Sequence, residues 1–262
     1  MIIGPSLGWS FAFETTYPSE QEIRVSNFGA SAIEQVYIFQ DPVRIRVLSD
    51  FRAGSPLETF DYRSLHLPDY IGDENSELLQ KASRFIHREI RGIRNIMKRQ
   101  GKLVEQIMSV QNPRTALIHP IGLPPEYIAI LLEGGVPLAI ENMDRNKKEG
   151  IKIGELEALV REFELGFVLD AQHAYEQDPS MHYAMDLLQA IKDKIVHYHV
   201  SGQRGEDIHA PVCKAENKGA IIDFMSKAFS VKKRPIILEG SYKFLREISE
   251  DVNFLKEELR GI

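Results

Sequence analysis

Three observations predict an α/β protein folded as a single (β/α)8 barrel. Eight short runs rich in β-branched or aromatic residues recur along the chain, and stretches of helical periodicity separate most of them. Strands that alternate with helices pair in parallel and are apolar almost throughout, because both of their faces are covered. Most of the runs also end in a histidine or a carboxylate, which is typical of the mouth of a barrel.

The eight runs are assigned to the barrel strands in chain order. The predicted strands are Met1–Ile3, Glu34–Phe39, Ser64–Leu67, Thr115–Ile118, Pro137–Ile140, Gly166–Leu169, Ile195–Val200 and Pro235–Leu238. The spacing of apolar residues predicts helices at Ser76–Met108, Glu126–Leu132, Lys152–Glu162 and Tyr242–Leu259. An open doubly wound sheet is the alternative architecture. It is disfavoured because no strand is followed by a GxGxxG phosphate-binding turn.

Length and composition favour one soluble domain that covers residues 1–262. The chain is 43% hydrophobic, which is enough for a sizeable core, and no linker-like stretch interrupts it. A net charge of -6 disfavours a broad nucleic-acid surface. Cys213 is the only cysteine, so no intrachain disulfide can form. The N-terminus lacks a signal-peptide layout and no apolar run approaches the roughly 20 residues of a membrane span, so a cytoplasmic location without membrane association is expected.

Nine side chains of metal-binding type lie at the predicted strand ends or in the loops that follow them. They are His66, His119, Glu141, Asp170, His173, His199, Asp207, His209 and Glu239. A single histidine or carboxylate at a strand end is more often structural than a ligand. Several of them converging on one barrel mouth are costly to bury unless a cation compensates them. Imidazole and carboxylate groups suit Zn²⁺ or Mn²⁺, and nine of them can serve two or three ions.

The strand positions deeper inside the barrel are predicted to be mostly apolar rather than metal-binding. Residues two positions before the strand ends should also point into the barrel, and they are mostly small or apolar: Ser64, Leu117, Ala139, Val168, His197 and Ile237. His197 is the exception, and we interpret it as a core residue or a support for a ligand.

This arrangement resembles the xylose isomerase-like TIM barrels, and within them most closely the endonuclease IV type, AP endonuclease family 2. The resemblance rests on the order of the motifs from His66 to Glu239, including the DxxH sequence that starts at Asp170 and the DxH sequence that starts at Asp207. It implies three zinc ions at the barrel mouth and hydrolysis of phosphoesters. Sugar isomerases and epimerases share the fold and several of these positions.

The resemblance also implies a role for each ligand. The first zinc ion takes His66, His119 and Glu141, and Glu141 bridges to the second. Asp170, His199 and Glu239 complete the second site, whereas His173, Asp207 and His209 form the third.

Two enzymatic hypotheses follow. In the first, a metal-activated water attacks a phosphodiester, and Glu141 or Glu239 orients or deprotonates that water. In the second, one ion polarises a sugar carbonyl while the same two glutamates exchange protons on opposite faces, which is isomerase or epimerase chemistry. The second leaves His66, His119, Asp207 and His209 as sugar-binding groups or bystanders, so the hydrolase is favoured. A barrel that binds metal or a ligand without catalysis is a third hypothesis.

The substrate is predicted to be a small phosphoester, a sugar or damaged DNA, and no partner protein is predicted. Arg44, Arg145 and Arg204 lie in loops after strands, where they can contact a substrate phosphate. Tyr70 follows His66 closely and is a further substrate-binding candidate. The neighbouring Asp69 argues against DNA, because a carboxylate repels a phosphate backbone.

Overall fold

The computed structural model describes residues 1–7, 25–36, 60–67 and 92–262. Its strands are β1 (Ile3–Pro5), β2 (Ala32–Val36), β3 (Tyr62–His66), β4 (Thr115–Ile118), β5 (Leu138–Glu141), β6 (Gly166–Asp170), β7 (Ile195–Val200), β8 (Gly202–Arg204), β9 (Asp207–Ala210) and β10 (Ile236–Leu238). Its helices are α1 (Gly92–Gln111), α2 (Pro125–Glu133), α3 (Ile153–Phe163), α4 (Ala171–Gln177), α5 (His182–Ile191), α6 (Lys218–Val231) and α7 (Leu245–Glu258).

Eight parallel strands form the predicted barrel. Their order is β1-β10-β7-β6-β5-β4-β3-β2, and each neighbouring pair is parallel. The two ends of this sheet meet where Ser6 bridges Glu34 and where the Leu7 amide donates to the Glu34 carbonyl at 2.9 Å. The (β/α)8 architecture predicted from the sequence is therefore confirmed.

Most predicted strands agree with the structure, but the second predicted strand starts too late in the chain. Its predicted start is Glu34, whereas β2 begins at Ala32 and has Glu34 at its centre. The single apolar pair before Glu34 is too weak a signal to extend the strand backwards. Residues 37–39 of the predicted strand, and residues 76–91 of the first predicted helix, lie outside the described part of the chain.

The interior of the barrel is filled as the alternation of side chains predicts. Leu117, Ala139 and Val168 are fully buried and pack together inside β4, β5 and β6. Ile237 packs in a separate cluster with Ala32 and Tyr62. Because side chains alternate along a strand, the residue two places beyond each of these points to the same axis at the mouth of the barrel.

The opposite faces of the strands pack against the helices and form the main core. Ile140 and Phe167 belong to this layer, together with Leu156 of α3 and Leu187 of α5. Among the described residues, no helix is both long enough and apolar enough to cross a membrane.

A glycine marks the closest approach between β1 and β2. A Cβ atom added at Gly4 would lie 1.6 Å from the Ala32 carbonyl oxygen, which belongs to the backbone and cannot move without parting the two strands. We expect Gly4→Ala to lower the free energy of unfolding by at least about 2 kcal/mol, as measured by chemical denaturation.

Gly219→Ala is the matched control for that substitution. Gly219 lies in the first turn of α6, and no atom lies within 4 Å of the position that its Cβ would take. The control should leave stability unchanged or raise it by about 0.5 kcal/mol. Equal effects of the two substitutions would contradict a close contact between β1 and β2.

Candidate metal centre at the barrel mouth

The structure brings eight of the nine predicted ligands together at the C-terminal ends of the strands. They are His66, His119, Glu141, Asp170, His173, His199, His209 and Glu239, each within contact distance of at least one other. Asp207 is exposed in the β8–β9 hairpin, and its Oδ1 accepts the amide hydrogen of His209 at 3.1 Å. Their roles as metal ligands stay predictions.

The first group joins the ends of β3, β4 and β5. His66 Nε2 lies 3.1 Å from His119 Nε2, and the latter atom lies 3.1 Å from Glu141 Oε1. The three donor atoms are close enough to hold one ion. This is the set predicted for the first zinc ion.

The second group joins the ends of β5, β6, β7 and β10. Glu141, Asp170 and His199 offer donor atoms that lie within 4.8 Å of one another. Glu239 completes the group, because its Oε1 lies 3.3 Å from His199 Nδ1. All four side chains are buried, at 0 to 4% exposure.

Glu141 belongs to both groups, with one oxygen in each. Its Oε1 faces His119 Nε2, and its Oε2 lies 2.9 Å from His199 Nδ1. A carboxylate can bridge two metal ions whereas a neutral histidine cannot, so this is the arrangement that a shared ligand requires.

The third predicted group is only partly assembled. The rings of His173 and His209 are 5.8 Å apart, and His209 Nδ1 lies 3.2 Å from Ser201 Oγ. Asp207 Oδ1 instead accepts a hydrogen bond from the His209 amide within the β8–β9 hairpin. In the described part of the chain, His173, Asp207 and His209 are not among the residue groups whose donor atoms lie close enough to hold one ion.

Two histidines are oriented by backbone carbonyl groups. His66 Nδ1 lies 3.0 Å from the Leu67 oxygen, and His173 Nδ1 lies 2.9 Å from the Asn142 oxygen. A carbonyl oxygen only accepts, so each Nδ1 carries a hydrogen, and each Nε2 presents a lone pair when the ring is neutral. Metal-binding histidines are generally held in this way.

The buried polar atoms of the site fit a divalent cation. Among the described residues, Asp170 Oδ2, Glu141 Oε2 and His199 Nδ1 are buried without a hydrogen-bond partner. The last two approach to 2.9 Å, but their directions do not satisfy hydrogen-bond geometry. Buried polar atoms left in this state are expensive, and a metal ion compensates them.

The site also perturbs the acidity of its members. Burial opposes ionisation of Glu141, but contacts with His119 and His199 outweigh it and hold the pKa of Glu141 well below its usual range. Burial likewise opposes ionisation of Glu239, yet the adjacent His199 lowers the pKa of Glu239 to about 2. His199 has the opposite shift: burial lowers its pKa, but Glu239 and Glu34 raise it well above the ordinary value.

The pKa values of Asp170 and His173 are both raised, so these groups hold protons near neutral pH. Burial, reinforced by the charges of Glu239 and Glu141, raises the pKa of Asp170 to about 7. Burial lowers the pKa of His173, but Asp170 and the two glutamates raise it to about 9. In the absence of metal, the centre therefore retains protons that a metal ion has to displace.

Two supporting residues escaped the sequence analysis. Asn142 bridges β5 and β6, because its side chain donates to the Asp170 carbonyl and accepts the Asp170 amide, both at 2.9 Å. Glu34 lies fully buried in β2 beside His199. The sequence does contain a signal for them, because each is a polar residue inside or at the end of an apolar strand. For Glu34 this signal is weak, because the residue stands at the boundary of the predicted strand.

The predicted substrate-binding residues are only partly described. Arg145 and Arg204 are exposed, the first in the loop after β5 and the second at the end of β8. Arg44 and Tyr70 lie outside the described residues.

The chain has the fold of the xylose isomerase-like TIM barrels. Similar solved structures include a D-tagatose 3-epimerase-like protein, with 17% identity, a TM-score of 0.67, and coverage of 99% of this chain and 97% of that one. Endonuclease IV from Thermus thermophilus has 17% identity, a TM-score of 0.65 and 100% coverage of both chains. D-psicose 3-epimerase from Clostridium cellulolyticum has 10% identity, a TM-score of 0.66 and 99% coverage of both chains. No protein-family model and no curated protein sequence matches the chain.

Metal uptake should release protons near neutral pH. A histidine or carboxylate must lose its proton to bind a metal, and with a pKa of about 7 for Asp170 and about 9 for His173 both groups hold protons at pH 7 in the metal-free protein. We expect zinc affinity to rise as the pH rises from about 7 to about 9. Calorimetric titration in buffers of different ionisation enthalpy measures the release, and a heat that is independent of the buffer would contradict it.

Proposed function

We propose that the protein is a metal-dependent hydrolase of phosphoesters with two or three divalent ions, zinc by preference and manganese as the alternative. The observation that carries the proposal is the shared position of Glu141 between two groups of ligands. A mononuclear sugar isomerase has no need for the first of these groups. A phosphoryl-transfer enzyme uses adjacent metals to bind both the attacking and the leaving oxygen.

The residues of the centre would have two roles, metal binding and orientation of the attacking water. His66, His119 and Glu141 would hold one ion, and Glu141, Asp170, His199 and Glu239 would hold another. When bound, the ions would supply Lewis acidity that activates a water molecule and neutralises charge on the leaving oxygen. Glu239 and Glu141 retain their negative charges in the buried site, so either would orient the attacking water by accepting a hydrogen bond from it.

Substrate phosphate would be contacted at the rim. Arg145, in the loop after β5, and Arg204, at the end of β8, are exposed, and guanidinium groups bind phosphate oxygens in pairs. Damaged DNA stays a candidate beside small phosphodiesters. Endonuclease IV among the similar structures supports testing it.

A sugar isomerase or epimerase is the second candidate, and one observation favours it. Two buried carboxylates, Glu141 and Glu239, both contact His199 Nδ1, so a single ion at this point would have two glutamates beside it that could exchange protons with a bound sugar. Proton exchange between two such glutamates is the chemistry of an epimerase. The epimerases among the similar structures make this candidate worth testing in parallel. A barrel that binds metal without turnover is the remaining hypothesis.

His66→Ala separates the two enzymatic candidates. The hydrolase requires the first metal group, so the substitution should lower turnover of a phosphodiester or of abasic-site DNA by more than about 100-fold. Removal of a residue that only supports a ligand costs up to about 100-fold, and loss of the ligand itself should cost more. The epimerase requires only the second group. Ketose epimerisation that persists in His66→Ala, with no phosphodiester cleavage by the unaltered protein, would contradict the proposed hydrolase.

His182→Ala is the matched histidine control. His182 is exposed at the start of α5, and its ring contacts Ser180 Oγ at 2.8 Å rather than any residue of the metal centre. Its replacement should leave turnover and metal content unchanged. A loss equal to that of His66→Ala would mean that the assay reports stability rather than the site.

A further inference from the structure

Glu34 and His199 form a buried contact beneath the metal centre. Glu34 is 0% exposed at the middle of β2, and its Oε2 lies 3.3 Å from His199 Nε2. The same oxygen accepts a hydrogen bond from Ser64 Oγ at 2.9 Å. The other ring nitrogen of His199, Nδ1, faces Glu141 and Glu239. The imidazole therefore lies between a supporting carboxylate and the site.

A second contact defines which nitrogen of His199 carries hydrogen. Tyr62 donates its hydroxyl hydrogen to Thr115 Oγ1 at 2.9 Å, so its oxygen accepts the Nδ1 hydrogen of His197 at 2.8 Å. His197 Nε2 is then an acceptor, 3.1 Å from His199 Nε2. Both neighbours of His199 Nε2 are acceptors, so this nitrogen carries a hydrogen, and Nδ1 presents the lone pair once the ring is neutral.

The arrangement parallels that of two other histidines in the site. His66 and His173 each donate from Nδ1 to a backbone carbonyl, and the Nε2 of His66 faces His119 in the metal centre. In His199 of β7, the carboxylate of Glu34 takes the position that the carbonyl group occupies beside those two rings. A carboxylate in this place fixes the ring and increases its basicity as a ligand.

We propose that Glu34 is a positioning residue: it accepts the Nε2 hydrogen of His199 and thereby directs the Nδ1 lone pair toward Glu141 and Glu239. This inference rests on the metal centre of the proposed function, but not on which reaction that centre performs. It assigns to β2 a role in a site whose predicted ligands come from β3 onwards. Ser64 supports Glu34 from the adjacent strand, directly across the β2–β3 pairing.

The same residues allow one competing arrangement. Glu34, His197 and His199 present donor atoms separated by 3.1, 3.3 and 3.7 Å, which is close enough for one ion. Such an ion would bind His199 through Nε2 and remove the hydrogen that the positioning role requires. The two arrangements thus differ in whether His199 Nε2 carries a hydrogen or binds a metal ion.

The test combines metal affinity with nitrogen NMR. Zinc affinity of the full chain is measured by competition with a chelator for the unaltered protein, Glu34→Ala, Glu34→Gln and Ser64→Ala. Glu34→Ala should weaken binding at one ion by about 10–100-fold. Glu34→Gln keeps an acceptor oxygen and should lose less, and Ser64→Ala, which removes only the support of Glu34, should lose least. Spectra of zinc-loaded protein with ¹⁵N-labelled histidine should have a His199 Nε2–H signal that shifts in Glu34→Gln.

Each outcome bears on a separate claim. If the unaltered protein binds no zinc, the proposed function fails before the role of Glu34 is reached. Unchanged zinc affinity in both Glu34 variants overturns the positioning role, and so does a His199 Nε2 that is bound to metal rather than to hydrogen. A loss confined to one ion, with the circular dichroism of the metal-free variants unchanged, supports positioning over a general effect on folding.

Discussion

The buried carboxylate of Glu141 is the constraint on which the site depends. One of its oxygens faces His119 and the other faces His199, in a place that water barely reaches. Burying it together with Asp170 and Glu239 costs several kcal/mol per ion unless positive charge compensates them. Protonated His199 and His173 provide part of this charge in the metal-free protein. Divalent ions would provide it more completely and would return those protons to solvent.

The barrel supplies this arrangement because parallel strands end at one rim. Apolar residues such as Leu117 and Val168 fill the interior, and the residues two places further along the strands converge above them. The polar layer therefore lies partly on packed apolar side chains and away from water, where its electrostatic interactions are strong. Asn142 and Glu34 then orient individual members of that layer through hydrogen bonds.

The barrel and most of the polar layer could be predicted from the sequence, because each strand carries its own signal. An apolar run followed by a histidine or a carboxylate indicates both a strand and the side of the barrel that its end faces. Glu34 could not be predicted in this way, because its proposed role depends on its contact with His199, which is distant in the sequence. The orientation of Asp207 was equally inaccessible, since it depends on the conformation of the β8–β9 hairpin.

The choice between hydrolase and isomerase depends on the number of ions, because the two activities share the ligands of the second group. The similar structures include both kinds of enzyme at 10 to 17% identity, so they define the fold and leave the reaction to the site. The most direct test is therefore elemental analysis of the protein purified without added metal, repeated after chelation and reloading with zinc. The shared position of Glu141 predicts two or three ions per chain. A single ion would contradict the polynuclear centre and favour the epimerase, and a chain that binds none would contradict the metal centre itself.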